Sequence, residues 1–596
     1  MISLRIKLNS NESAGNNAGD GYQSISKNNL VIDYKLGTMF GFASDIDNSF
    51  ICGETIIPQS DGLKDQNSRK FITPSYDFAA TDNNFQTLLI INGQENRLRL
   101  YSNISSSRTC YYSFYKDSFI CSSSITEMRR FIDKFELNEE VVPEYMAYRY
   151  VTPPKTLYKN IKKLICGQSL EIDLQKNAVL SDSLYNYSNV SPGSMPNESE
   201  ISQKLLDMMG SHITDTGANS TTPGILLSGG LDSSLLGVLS HKTVKNIKSF
   251  SSSFEFVDKS DDENYYAQSV ADNLSMDHTI YNGTKENYLK GLVESIYCNE
   301  EPIHHLQSVM LYKIFAESAA SDCDIMFCGE GADMMFGNVL HSKTFKYRKL
   351  IALMNATGGN KILGQILKML NSSDARWEYF AKIFGRNYSK NNHILYTIGL
   401  FGDTKFLLDN MNYNLNDIFA SHIKLANNYS ERSLFDLITI MSIFTEGFYS
   451  TAIWNKLAEK NNISIIYPFL TKDLIDYILT VPWTQKLKEN KYYIRQMLRA
   501  NSFPEEFVTR PKLSFGFPFK YWATKNSLFQ PIVDMMQDSY DKKLLDKLQT
   551  EEPKIAMILW NLINLFIWHK LFIDNVSSED LSGEIIDRHL VLSKKQ

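Results

Sequence analysis

Over roughly the first 185 residues, apolar and polar positions alternate in short runs: LVIDYKL, TLLIING, RLRLYSN, CYYSFYKDSFICSSS and SLEIDL. Period-two alternation bounded by turn residues predicts strands. A long low-order stretch covers about 55–84, and 126–150 (MRRFIDKF, PEYMAYRY) carries helical spacing. The Ser/Asn/Pro-rich segment at 186–200 reads as a linker. The rhythm then changes. Helical spacing in SEISQKLLDMMGSHI precedes the apolar run GILL at 224–227. The strand-like IKSFSSSFEF follows, then the helix NYYAQSVADNL, the polar segment DHTIYN, the helix SVMLYKIFAESAAS and the strand DIMFCG. Strands alternating with helices predict a parallel sheet. Beyond about residue 340 nearly everything has helical spacing, and Ile555–Phe572 reads as a helix buried on one side, too polar to span a membrane.

At 596 residues the chain is too long for one core. The expected division is 1–195, β-rich, and 196–596, α/β with a helical C-terminal region. Net charge is −6 with no long basic run, which argues against nucleic acid as a partner. The seven cysteines are scattered and none forms a CxxC pair, so neither a zinc site nor a disulfide framework is suggested. A reducing cytoplasm is the expected compartment, and the N-terminal MISLRIKLNS lacks the apolar core of a signal peptide.

The chemistry concentrates in GILLSGGLDSSLLG, residues 224–237. An apolar strand runs into Ser228-Gly229-Gly230-Leu231-Asp232-Ser233-Ser234, and a helix pattern begins behind it. Two glycines permit a tight turn close to a ligand. Amides at a helix N-terminus favour an anion such as phosphate. Ser228, Ser233 and Ser234 add hydroxyls, and Asp232 can hold a magnesium ion. No lysine follows the glycines, so the GxxxxGK(S/T) loop of other nucleotide enzymes is excluded. A second loop, Gly329-Glu330-Gly331-Ala332-Asp333, follows the strand at 324–328. Ligands gather at the C-terminal ends of parallel strands, so the two loops should adjoin, with Asp232 and Asp333 as a magnesium pair and Glu330 at the edge.

These motifs resemble the asparagine synthetase B-like superfamily. Its members carry SGGLDSS, a strand like FSIGFEE, DE-x-x-x-A-x-x-VA, EP, GEGADELFGG, a PFLD segment and R-x-K-x-x-F-x-x-P. This chain has FSSSFEF at 250–256, DENYYAQSVADNLSMDH at 262–278, Glu301-Pro302, GEGADMMFGN at 329–338, YPFLTKDLID from 467, and Arg510-Pro511-Lys512 leading to Pro518. The resemblance implies ATP and Mg2+, an acyl-AMP formed from a carboxylate with release of pyrophosphate, and capture of that acyl group by an amine. It makes Lys512 the lysine reaching the reacting phosphates and Glu330 a candidate base. It places the nucleotide against Leu227, Ser228, Gly229, Gly230, Asp232, Ser233, Ser252, Cys328 and Gly329. Ser252 departs from the usual Val or Ile, and Met334-Met335 replace Glu-Leu.

The N-terminal segments 97–125 and 156–172 resemble the family's glutaminase domain, of the Ntn-hydrolase type. The thiol that hydrolyses glutamine there must share the first residue with a free amine. Here Met1 is followed by Ile2, and the first cysteine is Cys52. The expectation is therefore a degenerate glutaminase domain and no glutamine-derived ammonia. Relatives without that cysteine include lasso-peptide macrolactam cyclases, ammonia-dependent synthetases acting on small molecules or sugar acids, and β-lactam synthetases. Glu330, where β-lactam synthetases have Tyr, counts against the last. A ring-closing cyclase implies a precursor peptide and its processing protease as partners, the ammonia-dependent alternative implies a small carboxylate, and a catalytically idle scaffold is the reading from another class. His304 and His305 either shape the acyl pocket or simply pack.

Overall fold

The computed structural model describes residues 2–8, 23–27, 30–36, 41–46, 49–55, 85–105, 107–185, 187, 196–218, 220–254, 264–337, 402–510 and 519–593, with scattered positions between 342 and 357. The low-order stretch at 56–84, most of the 186–200 linker, and Lys512 lie outside them.

The alternating runs of the N-terminal half form two antiparallel sheets. One takes strands β1 (Ile2–Leu8), β2 (Gln23–Lys27), β3 (Leu30–Leu36), β8 (Cys110–Tyr115), β9 (Ser118–Ser122) and β10 (Lys162–Leu164), in the order β10-β8-β9-β1-β3-β2. The other takes β4 (Gly41–Ile46), β5 (Ser49–Thr55), β6 (Phe85–Asn92), β7 (Arg97–Ser102), β11 (Gln168–Asp173) and β12 (Ala178–Leu184), in the order β12-β11-β7-β6-β5-β4. Leu4, Ile6, Leu30 and Ile32 from the first meet Leu89, Ile91, Leu98, Leu100 and Ile172 from the second. The period-two pattern is thus the inner face of a sandwich. The predicted helix over 126–150 is broken into α1 (Ile125–Met128) and α2 (Val142–Tyr148). Between them Leu137 bridges to Tyr158, and Pro143, without an N–H, opens the second piece instead of continuing the first.

The second half holds a five-stranded parallel sheet in the order β15-β14-β13-β16-β17. The strands are β13 (Pro223–Leu226), β14 (Lys248–Phe254), β15 (Asp277–Gly283), β16 (Ile325–Phe327) and β17 (Ser464–Ile466). Helices α3 (Glu198–Gly217), α4 (Leu231–Thr243), α5 (Asn264–Asn273), α6 (Lys285–Asn299) and α7 (Ser308–Ala320) alternate with them. Two strands were not anticipated. β15 is the polar segment DHTIYN; it is an edge strand with alternate positions in water, so it lacks an apolar run. β17 is three buried residues inside an otherwise helical region. From β13 the chain moves to β14 and β15 on one side, then returns for β16 and β17 on the other. The switch point, where ligands bind in such sheets, therefore lies between the ends of β13 and β16, which carry the two motif loops.

The halves are locked by a buried polar dock. Glu300 ends α6 in a left-handed conformation and turns its carboxylate across the boundary. It accepts from Ser124 Oγ (2.5 Å), Ile125 N (3.0 Å) and Thr126 N (2.8 Å), capping α1, and pairs with Lys456 Nζ at 2.9 Å. Burial alone would raise its pKa, but Lys456 and these hydrogen bonds outweigh it and hold the carboxyl below its usual range. Next to it Glu301 accepts from Tyr111 Oη at 2.6 Å and pairs with buried Lys163. Burial lowers the Lys163 pKa to about 8 against the pull of Glu301. The 20-residue helix α11 (Pro553–Phe572) joins the same dock: Trp568 Nε1 donates to Tyr158 Oη at 2.9 Å, and Asn561 Nδ2 to Met146 O at 2.7 Å. By length and composition α11 is apolar enough to cross a membrane, yet 78% of its 18-residue apolar window is buried inside the protein. It is a core helix, buried nearly all round from Ile558 to Trp568; burial marks it as such, a correction to the expectation of a helix buried on one side and too polar to span.

Lys163→Met should leave Glu301 buried beside a missing cation and cost about 3–5 kcal/mol. The double variant Lys163→Met/Glu301→Met should regain most of that loss, measured as the shift in the denaturant midpoint.

Candidate active site

The two motif loops meet as the sheet topology requires. Gly229 has φ +66°, and a Cβ there would stand 2.5 Å from the Tyr266 carbonyl carbon and 2.6 Å from Ala267 N. Only glycine allows both this conformation and the close passage of α5. Gly230 is the N-cap of α4, so the helix begins at Leu231 with its first amides directed at the loop. Ser233 Oγ accepts from Ser228 N (3.2 Å) and lies 3.1 Å from Ser228 Oγ, which fixes the loop's curvature. On the opposite side a Cβ at Gly329 would lie 3.3 Å from Asp232 Cβ. The second loop is therefore seated on the head of α4. Cys328 N donates to Ile466 O on β17 at 2.9 Å, which aims Gly329 and Glu330 at the switch point. Burial, and after it the Glu330 charge, pushes the Cys328 thiol far up, so it stays protonated.

Asp232 and Asp333 converge on Lys491. Its ammonium bonds Asp232 Oδ2 and lies 2.7 Å from Asp333 Oδ1, with the lysine side chain only 4% exposed. Burial alone would depress the Lys491 pKa; the two carboxylates reverse this and raise it above its ordinary value. Lys491 stands at the N-cap of α10 (Tyr492–Ala500), in the left-handed region (φ 56°), which turns its side chain back over α4. The predicted acidic pair is thus brought together, around a cation that the sequence reading missed. KENKYYIR looks like a solvated surface run, and only its backbone conformation carries the signal. The two carboxylates are hard oxygen donors converging on a point already marked by a positive charge, so their chemistry fits Mg2+.

In the sequence Arg510 stands only as the first residue of the motif that leads to Lys512 and Pro518. Its guanidinium donates to Gly229 O and lies 4.1 Å from the centroid of the Tyr266 ring. Among the expected nucleotide contacts, Leu227 and Cys328 have their side chains in the core, so they can offer a ligand only backbone. Ser252 sits half-buried on β14 opposite Tyr281 of β15. Glu330 is half-buried beside Asp333 in sequence.

A glycine-turned anion loop at a helix N-terminus, faced by paired carboxylates and a buried lysine at the switch point of a parallel sheet, defines a nucleotide-dependent α/β enzyme. The asparagine synthase family model matches residues 218–570, and the chain belongs to that family. It is 23% identical over 505 residues to asparagine synthetase [glutamine-hydrolyzing] 1 of Bacillus subtilis (strain 168), covering 80% of this chain and 75% of that one. It is 21% identical over 472 residues to a putative asparagine synthetase [glutamine-hydrolyzing] of Mycobacterium tuberculosis (strain ATCC 25618 / H37Rv), covering 74% and 68%. Among solved structures, an NH3-dependent NAD synthetase from Campylobacter jejuni spans 40% of this chain and 98% of its own at 15% identity, with a TM-score of 0.19, too low to add to the fold. The protein is an ATP-dependent carbon–nitrogen ligase of the asparagine synthetase-like kind.

Lys491→Gln should leave Asp232 and Asp333 facing each other without their shared cation. ATP-dependent turnover should fall by about 100-fold or more, on the scale of losing one oriented charge stabiliser, while circular dichroism stays unchanged.

Proposed function

We propose that the enzyme joins a carboxylate to an amine through an acyl-AMP and draws no nitrogen from glutamine. The observation that carries this is the convergence of Asp232, Lys491 and Asp333 at the N-terminus of α4, with Glu330 on the adjoining loop. A substrate carboxylate oxygen attacks the α-phosphorus of ATP, and the bond to the bridging oxygen breaks. The departing pyrophosphate gathers charge where the α4 amides and Lys491 already point, so no reorganisation is needed at that moment. Asp232 and Asp333 would hold Mg2+, which supplies charge neutralisation on the phosphates. The amine then attacks the acyl carbon, AMP leaves with the electrons of the C–O bond, and Glu330 takes a proton from nitrogen. Lys512, by resemblance, reaches the phosphates and the carbonyl.

One feature supports direct use of an amine. Cys52 lies mid-strand, paired with Ala43 and Leu89, so its thiol has no free α-amine beside it. The acceptor we favour is a peptide's own amine closing a macrolactam of the lasso type, with a precursor peptide and its protease as partners. The relatives are named asparagine synthetases, which favours a second reading of the product, an amide of a small carboxylate such as aspartate; their names give glutamine as the nitrogen source, where this second reading takes free ammonia. The net charge of −6 speaks against nucleic acid in either case, and the cytoplasm is the compartment we assign.

Pyrophosphate release from ATP-Mg with aspartate and ammonia, against aspartate and glutamine, separates the readings. Release with ammonia and not with glutamine gives the small-molecule synthetase. Silence with both, followed by release on adding a precursor peptide, gives the cyclase, and glutamine-driven release rejects the amine assignment. In the productive mixture Asp232→Asn should abolish pyrophosphate release. Glu330→Gln should spare it and slow amide formation by about 100-fold or more, the scale of a lost general base.

A further inference from the structure

A second cluster of ligating side chains lies beside the phosphate loops and takes no part in the chemistry above. Glu446 sits in a π-helical turn (Ile443–Gly447) that opens helix α9 (Phe448–Glu459). That turn is seated on the second motif loop: a Cβ at Gly447 would overlap the Met334 thioether, and Thr439 Oγ1, on the preceding helix α8 (Leu434–Ser442), donates to Met334 O at 3.1 Å. Single π turns inside helices frequently mark functional positions. His304 and His305 reach the same turn from the loop after Pro302. One ring nitrogen of each histidine and one Glu446 oxygen lie within 4.8 Å of one another.

The spacing between these groups is informative. His305 Nε2 is 3.8 Å from Glu446 Oε1, too far for a hydrogen bond. Ligand atoms about 2.1 Å from a tetrahedral ion lie about 3.4 Å apart, so a pair at 3.8 Å closes on a shared ion with a small adjustment. Ser450 Oγ stands 3.1 Å from His304 Nε2 and 3.3 Å from His305 Nε2, adding an oxygen to the group. His304 is wholly buried, yet its Nδ1 has no hydrogen-bond partner. Buried imidazole nitrogens are ordinarily satisfied, and coordination is one way to do so. Both imidazoles are kept neutral by burial, with Arg149 reinforcing the effect, and neutral imidazole is the form that binds metal.

We propose that His304, His305 and Glu446 form a binding site for a borderline divalent transition ion of the Zn2+ class, distinct from the Asp232–Asp333 magnesium pair. Two imidazoles and one carboxylate suit such an ion better than Mg2+, which prefers oxygen. Three protein ligands leave one coordination position, filled by water or by a substrate amine or carboxylate. The Glu446 side chain is 31% exposed and that of His305 18%, so the ion enters from their side. Arg149 Nη2 lies 3.8 Å from the same Glu446 oxygen, and its charge opposes the ion. Affinity is therefore held below that of a closed structural site.

The test titrates the full-length protein, stripped with chelator and held in saturating Mg2+, with Co2+ and then Zn2+. Ligand-field absorption and calorimetry are recorded. One equivalent should bind with tetrahedral-type Co2+ bands displaced by Zn2+. His305→Gln and Glu446→Gln should each weaken binding by at least about 100-fold, the upper end of what even outer partners contribute. Asp333→Asn should leave it unchanged, and Arg149→Met should tighten it. Circular dichroism checks that each variant is folded. Absence of saturable binding, binding that survives both ligand substitutions, or binding lost in Asp333→Asn overturns the proposal.

Discussion

Two adjacent buried carboxylates, Glu300 and Glu301, hold the architecture together. A carboxylate taken out of water is costly unless it is paired and hydrogen-bonded. Each finds its cation and its donors only when both halves of the chain are in place. Glu300 uses Ser124, Ile125 and Thr126 from the first half and Lys456 from the second. Glu301 uses Tyr111 and Lys163, both from the first. The loop that follows them leads to His304 and His305, so the placement of these two histidines rests on the same dock.

The phosphate side depends on assembly of a different sort. Lys491 joins Asp232 to Asp333, and Arg510 joins Gly229 to Tyr266. Each cation comes from late in the chain and lands on loops laid down by the parallel sheet. The helix N-terminus supplies fixed dipoles, and the two cations set where negative charge can accumulate. Asp232 and Asp333 balance Lys491 before any ligand arrives.

Much of this was legible in the chain. Gly229, Asp232 and Asp333 announce themselves because their roles are local: a turn, a helix head, a loop at a strand end. The sandwich was visible in period-two runs, since one face of each strand is buried. What stayed hidden depends on distant context. β15 has no apolar run because it lies at a sheet edge, and β17 is too short for any period to show. Lys491 sits among polar residues and becomes a site residue only through a left-handed backbone and a separation of 259 residues from Asp232. Glu301 was legible as a motif residue, but its work as half of an interdomain dock was not.

The N-terminal sandwich has a further meaning in the life of the chain. Among the described residues, helix α11 is the one helix long and apolar enough to cross a membrane, and its covering includes Tyr145, Met146 and Tyr158 from the sandwich half. During synthesis that half emerges some four hundred residues ahead of the helix it will cover. The surface that receives this helix is therefore synthesised before it, and an apolar segment of this length is prone to partition into lipid or aggregate while exposed. Removing the first half would strip Tyr145, Met146 and Tyr158 from α11 and leave part of that apolar helix facing solvent.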